Sequence, residues 1–212
     1  MNEALSLAIL AGGNSTRFGE DKALALLHGR PLLAHILERT AGLAAETFLV
    51  TNRPEAYAAF GLPMVGDRRP GTGALGGLYT ALTYAGQEWV ICLACDMPLV
   101  NRRLLESLLA LRAEADVVMP RLNGLWEPMH AVWRREACLA SARSALERGE
   151  RRVISALQDV RVRAVAEAEI DPIDPEHLSF YNVNTPDQLA EISRRLASHT
   201  YIAGGGLNGL RR

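Results

Sequence analysis

A chain of 212 residues, 49% of them hydrophobic, can bury one sizeable core, which points to a single domain. Its 23 lysines and arginines against 24 aspartates and glutamates leave a formal net charge of -1, so no overall field draws it to nucleic acid or to an anionic membrane, and any anion has to be bound locally. No apolar run approaches the ~20 residues of a membrane helix, no basic region precedes the first apolar run, and the odd count of cysteines describes no disulfide framework, so the expectation is a cytoplasmic protein without nucleic-acid or membrane partners.

The first apolar run, residues 5–10, reads as a strand that empties into Ala11, Gly12 and Gly13. The chain then meets Arg17, Gly19, Asp21 and Lys22 before a second apolar stretch at 23–27. Three glycines and two cations in so short a span describe a phosphate loop. The glycines let main-chain N–H groups approach an anion, and Arg17 and Lys22 add full charges. A Walker loop does not fit, because Lys22 follows Asp21 and precedes Ala23. A dinucleotide fingerprint does not fit either, because Gly12 and Gly13 are adjacent and the next glycine is Gly19.

Beyond a turn at Gly29, Pro31 opens a helix with Leu32, Leu33, Ile36 and Leu37 inward and an end near Gly42. Residues 47–51 form the second strand, with Asn52 and Arg53 at its carboxyl end, where open parallel sheets bind ligands. Asn52 reads either as a contact to a base or ribose or as an Asx turn before Pro54. A short helix over 54–60 and a short strand over 63–65 lead to Gly66 and Asp67. The glycine-rich stretch 68–78 follows, opening a helix to about residue 85. Composition leaves that stretch between a ligand loop and a surface loop.

The fourth strand, 89–94, is almost wholly apolar, as a strand covered on both faces must be. Cys92 and Cys95 form a C-x-x-C, yet residues three apart on a strand point to opposite faces, so they read as core residues rather than a redox pair or half of a metal site. The strand runs straight into Asp96. A carboxylate there suits Mg²⁺, which one or two carboxylates and triphosphate oxygens satisfy; the alternative is a cap for the following helix.

That helix spans 101–113 with Leu104, Leu105, Leu108 and Leu109 inward, and a strand at 116–119 follows. Asn123 and Gly124 signal a hairpin turn. A helix over 134–147 ends at Gly149, Arg151 and Arg152 open the next, and residues 160–165 make a last strand. Asn182 and Asn184, two apart on an extended segment, project to one face, where their amides can donate to an anion or accept from a metal-bound water. Thr185 before Pro186, with Gln188 three positions on, caps a final helix with Leu189, Ile192 and Leu196 inward. The five histidines lack ligand spacing for zinc. The domain is expected over 1–197, with a disordered glycine-rich tail over 198–212.

Alternating strands and helices imply an α/β protein: a single-domain, three-layer α/β/α arrangement around a Rossmann-like, mostly parallel sheet, with its cleft along the carboxyl edge. In combination, the segments 10–22, 95–98, 149–152 and 182–186 resemble the nucleotidyltransferases that act on the molybdenum cofactor, in the guanylyltransferase branch known as MobA. The resemblance covers about residues 5–197 and implies the nucleotidyltransferase fold. It also implies transfer of GMP from GTP to the terminal phosphate of molybdenum-molybdopterin, with Mg²⁺, or Mn²⁺ in its place, on Asp96. Arg17, Lys22 and Asp96 carry catalysis in this reading. The nucleotide meets Leu10, Ala11, Gly12, Gly13, Lys22, Asn52, Asp67 and Asp96, and the second substrate meets Arg152, Asn182 and Asn184. Transient contact with cofactor-synthesis proteins and recipient molybdoenzymes follows from the same likeness.

The chain departs from the family where Ala74 and Gly76 replace a usual Pro and Ala, a change expected to loosen that loop. Trp126 and Trp133 read as core fillers or as platforms for a pterin. A cytidylyltransferase for the same cofactor usually carries Leu-Ala-Ala-Gly at the first loop, so Gly13, Asp67 and the 73–77 loop favour guanine. A non-catalytic nucleotide or cofactor adaptor is the remaining alternative, and intact Lys22 and Asp96 speak against it.

Overall fold

The computed structural model describes residues 2–12 and 21–204. Its first half alternates strand and helix: β1 (Asn2–Leu10), the short ribbon β2 (Leu26–Leu27) and β3 (Arg30–Pro31), α1 (Leu32–Arg39), β4 (Ala44–Val50), α2 (Pro54–Tyr57), β5 (Met64–Val65), α3 (Gly73–Tyr84) and β6 (Trp89–Ala94). The second half holds α4 (Arg102–Ala110), β7 (Val117–Leu122), β8 (Leu125–Trp126), β9 (His130–Arg134), α5 (Arg135–Glu147), β10 (Val162–Ala166), α6 (Glu167–Ile170) and α7 (Pro186–Gly204).

The main sheet runs in the order β10-β7-β9-β6-β1-β4-β5, with β8 attached to β7. Pairings β1–β4, β1–β6, β4–β5 and β7–β10 are parallel, and β9 runs antiparallel to both β6 and β7. The reversal at β9 has a simple cause. Only the β8 hairpin and a short connection separate it from β7, and a parallel return needs a crossover of roughly a dozen residues or more. Asn123 (φ 48°) and Gly124 (φ 77°) both adopt the left-handed conformation of a two-residue hairpin turn, as the Asn-Gly signal predicts.

Strand alternation sorts the core into two faces. Leu5, Leu7, Ile9, Ile91 and Leu93 meet Leu33 and Ile36 of α1 and Leu104, Leu105 and Leu108 of α4. On the other face Ala8, Phe48, Val90 and Cys92 meet Leu75, Leu78 and Leu82 of α3 and Cys138, Ala142 and Ala145 of α5. Cys92 and Cys95 therefore serve opposite cores, as their spacing requires, and both are free thiols. A smaller cluster, with Leu27, Leu32, Leu99, Val183 and Ile192, seats α7 beneath the β2–β3 ribbon. His130 is buried against the Phe180 ring (centroids 4.9 Å apart), and neither of its ring nitrogens has a hydrogen-bond partner among the described residues.

Two points bear on the expectations: the last helix extends beyond residue 197, and core filling is the alternative that holds for Trp133. Helix α7 runs past residue 197 to Gly204, because no proline or glycine interrupts the chain between Pro186 and the glycine run beginning there. Trp133 is 0% exposed in the core and cannot serve as a stacking platform, while Trp126 is partly exposed with the Arg121 guanidinium 5.2 Å from its ring centre. Among the described residues no helix is long and apolar enough to cross a membrane.

Candidate active site

Parallel strands direct their carboxyl ends to one edge, and here β1, β4 and β6 end together. Two main-chain bonds hold the strand exits in register one residue beyond the sheet: Ala11 N–H donates to Val50 O (2.9 Å) and Cys95 N–H to Leu10 O (3.2 Å). The edge opens into a cleft of about 630 Å³. Leu10, Ala11, Gly12, Lys22, Asn52, Asp67 and Asp96 all line it. Gly13 and Arg17 lie outside the described residues.

Lys22 begins a short 3-10 turn, Lys22–Leu24, that Asp21 caps through the Ala23 N–H (3.2 Å). Its ammonium group donates to Asn184 Oδ1 at 2.6 Å and to Asp96 Oδ2 at 3.2 Å, joining the first loop, the β6 exit and the 182–186 segment at one atom. Val183 N–H donates to the Asp96 carbonyl (2.8 Å), so the asparagine segment is stitched to the β6 exit through its backbone as well. Asn184 thus reaches the site through Lys22. Asn182 does not: its amide donates to Phe180 O at 3.2 Å. Arg152 is exposed and is not among the residues lining the cleft.

Asp96 is not a helix cap. That task falls to Asn101, whose Oδ1 accepts from Arg103 N–H (2.9 Å) and Leu104 N–H (3.4 Å). Asp96 keeps one oxygen on Lys22, and its buried Oδ1 has no partner among the described residues. Burying a carboxylate oxygen without a donor is costly, which makes this atom the unusual feature of the cleft. No group of three or more His, Cys, Asp or Glu side chains that could hold a metal is present among the described residues.

The second glycine-rich stretch is tied down rather than loosened. Asn52 Oδ1 accepts Asp67 N–H (2.7 Å), Asp67 Oδ1 accepts Arg69 N–H (2.9 Å) and the Thr80 hydroxyl (3.1 Å), and Leu75 N–H donates to Arg151 O (3.3 Å). Thr51 Oγ1, not Asn52, makes the local turn bond to Arg53 N–H (3.2 Å), which disposes of the Asx turn, and Asn52 lines the cleft. A Cβ at Gly76 would fall 2.2 Å from Thr72 Oγ1 and 3.0 Å from Arg69 O, so this loop path requires the glycine that the sequence carries there.

Three residues near the cleft escaped sequence reasoning. Asp21 and Arg53 line it, and Tyr57, fully buried behind them, donates its hydroxyl to Asp21 Oδ2 at 2.5 Å. Arg53 donates to the same oxygen. Burial, followed by the hydrogen bond to Asp21, raises the Tyr57 pKa and keeps the phenol protonated. The available signal was Arg53 at a strand exit with Tyr57 one helical turn further on. Cys95 also lines the cleft, and burial first, then the nearby Asp96, push its thiol up to about 12, which keeps it from acting as a nucleophile.

Comparison with known proteins agrees with this arrangement. The MobA-like NTP transferase domain family matches residues 7–162. The chain is 39% identical over 189 residues to the molybdenum cofactor guanylyltransferase of Pseudomonas entomophila, covering 87% of this chain and 95% of that protein. It is 30% identical over 189 residues to the molybdenum cofactor guanylyltransferase of Desulfosudis oleivorans, covering 88% and 93%. Its fold matches the crystal structure of molybdopterin-guanine dinucleotide biosynthesis protein A from Archaeoglobus fulgidus with a TM-score of 0.79 at 26% identity, over 91% of this chain and 99% of that one. The family match and the identity to these relatives show that this chain belongs to the MobA-like NTP transferase family, a family of nucleotidyltransferases.

Proposed function

We propose that this protein is a molybdenum cofactor guanylyltransferase, transferring GMP from GTP to the terminal phosphate of molybdenum-molybdopterin and releasing pyrophosphate. The observation that carries the reading is the junction at Lys22 Nζ, where a cation, an asparagine and an acid with one oxygen unpartnered among the described residues meet beside the cleft. The names of the relatives supply the choice of guanine and of the pterin substrate.

In this reading an oxygen of the substrate phosphate forms a bond to the α-phosphorus of GTP, the bond from that phosphorus to the bridging α–β oxygen breaks, and pyrophosphate departs with the electron pair. A phosphate monoester, with its second pKa near ~6, is already ionised at neutral pH, so no protein base is needed. Nor is a protein nucleophile, which accords with the protonated Cys95 thiol. Lys22 and the N–H groups of the first loop hold the triphosphate and stabilise the charge that grows on pyrophosphate. Asn52 and Asp67, joined by their hydrogen bond, present donor and acceptor groups to the nucleoside. Mg²⁺, or Mn²⁺ in its place, would be held by Asp96 and would neutralise phosphate charge. Arg152 and Asn182 are assigned to the second substrate on motif likeness alone.

The test is pyrophosphate release by purified protein supplied with molybdenum cofactor and either GTP or CTP. Turnover with GTP at least about tenfold above CTP is the expected outcome. A preference for CTP would make it the cytidylyltransferase, and nucleotide binding without pyrophosphate would make it an adaptor.

A further inference from the structure

The Asp21 carboxylate gathers three donors from separate pieces of chain: the Tyr57 hydroxyl at 2.5 Å, the Arg53 guanidinium, and the Ala23 N–H at 3.2 Å. Tyr57 is 0% exposed, packed in the core on the α1 and α4 face, so its hydroxyl is a fixed point. Asp21 itself immediately precedes Lys22 and caps the turn that Lys22 begins. The lysine is therefore held at both ends. Its backbone is anchored through Asp21 to Tyr57, and its ammonium group is caught between Asp96 and Asn184.

We infer that Asp21 and Tyr57 are positioning residues for Lys22: the phenol and the carboxylate set where the Lys22 ammonium stands when the triphosphate is in the cleft. Two features separate this from ordinary packing. A buried tyrosine could have satisfied its hydroxyl on a backbone carbonyl, yet here it donates to an acid that lines the cleft. The same acid holds Arg53, the other cation among the described cleft-lining residues, so that Lys22 and Arg53 are each paired with a different carboxylate and kept apart. A flexible lysine loses rotamer freedom whenever it is held in one place, and a preset backbone reduces what remains to be lost during reaction.

The inference rests on the nucleotidyl transfer proposed above, and a double-mutant cycle separates the two. Tyr57→Phe keeps the buried ring and removes only the hydroxyl; it should lower kcat for GTP roughly tenfold, with the loss in kcat rather than in KM, because displacing a group that acts on the transition state is costly. In a Lys22→Ala background, itself about a hundredfold slow, the same change should alter kcat by less than about twofold. Asp21→Asn, which retains an oxygen for Ala23 N–H, should show the same non-additivity and serves if Tyr57→Phe folds poorly. Equal losses in both backgrounds, or no loss from either variant alone, would overturn the positioning role. Full activity of Lys22→Ala would instead remove the transfer mechanism on which it rests.

Discussion

The two ends of the central strands carry polar clusters of opposite character. Near the amino ends of β4 and β6, Glu46 Oε1 accepts the Ser6 hydroxyl (2.5 Å) and the Gly86 N–H (2.6 Å), and Ser6 Oγ accepts Gln87 N–H (3.2 Å). Its donors and acceptors satisfy one another, and the cluster closes the connection between α3 and β6. At the carboxyl ends the accounting is left open: buried Asp96 Oδ1 has no donor among the described residues, and Lys22 spans two elements with a single ammonium group. A closed cluster holds a fold together, and an open one at the same depth awaits a ligand.

That contrast is broken most sharply at Asp96. Asp96→Ala should reduce transfer by roughly a thousandfold or more while circular dichroism and the melting transition stay near those of the parent, since the carboxylate caps no helix and holds no strand. Near-normal turnover would take Asp96 out of the chemistry.

A smaller effect comes from His130, whose polar atoms are orphaned in the core rather than in the cleft. Burial pulls its pKa down from 6.5 to about 4, opposed by the neighbouring Asp174 carboxylate. Below pH 6.5 the unfolded chain takes up a proton that the folded chain refuses, so stability is complete above that pH and falls as pH drops toward about 4. The loss is on the order of 3 kcal/mol at the acid end of the window. Urea midpoints measured across this range should decline in the parent and flatten in His130→Leu. An unchanged slope in that variant would assign the acid sensitivity elsewhere.

The smallest change belongs to the closed cluster. Glu46→Ala should cost about 1–3 kcal/mol of stability, from the buried Ser6 hydroxyl that it leaves without an acceptor, and leave kcat and KM unaltered. A loss of activity there would mean that the two ends are coupled.

The same division governs what could be read in advance. Strand β6 was legible to the residue, because an apolar run bounded by polar residues has few other fates, and the Asn-Gly hairpin was legible because its turn requires two left-handed residues. That Leu10, Ala11, Gly12, Lys22, Asn52, Asp67 and Asp96 would share one cleft was legible from the family likeness, helped at Asn52 and Asp96 by the convergence of strand exits on one edge. What stayed hidden depends on pairings far apart in sequence. Tyr57 finds Asp21 across 36 positions, and Lys22 finds Asn184 across 162. The direction of β9 also escaped, since alternation fixes which face a residue serves and not which way a strand runs.

Calorimetric titration with GTP, with and without Mg²⁺, tests the central claim most directly, comparing the parent with Asp96→Ala. The account predicts saturable binding that Mg²⁺ strengthens in the parent and no longer strengthens in the variant. No GTP binding at all, or the same Mg²⁺ dependence in both proteins, would contradict it.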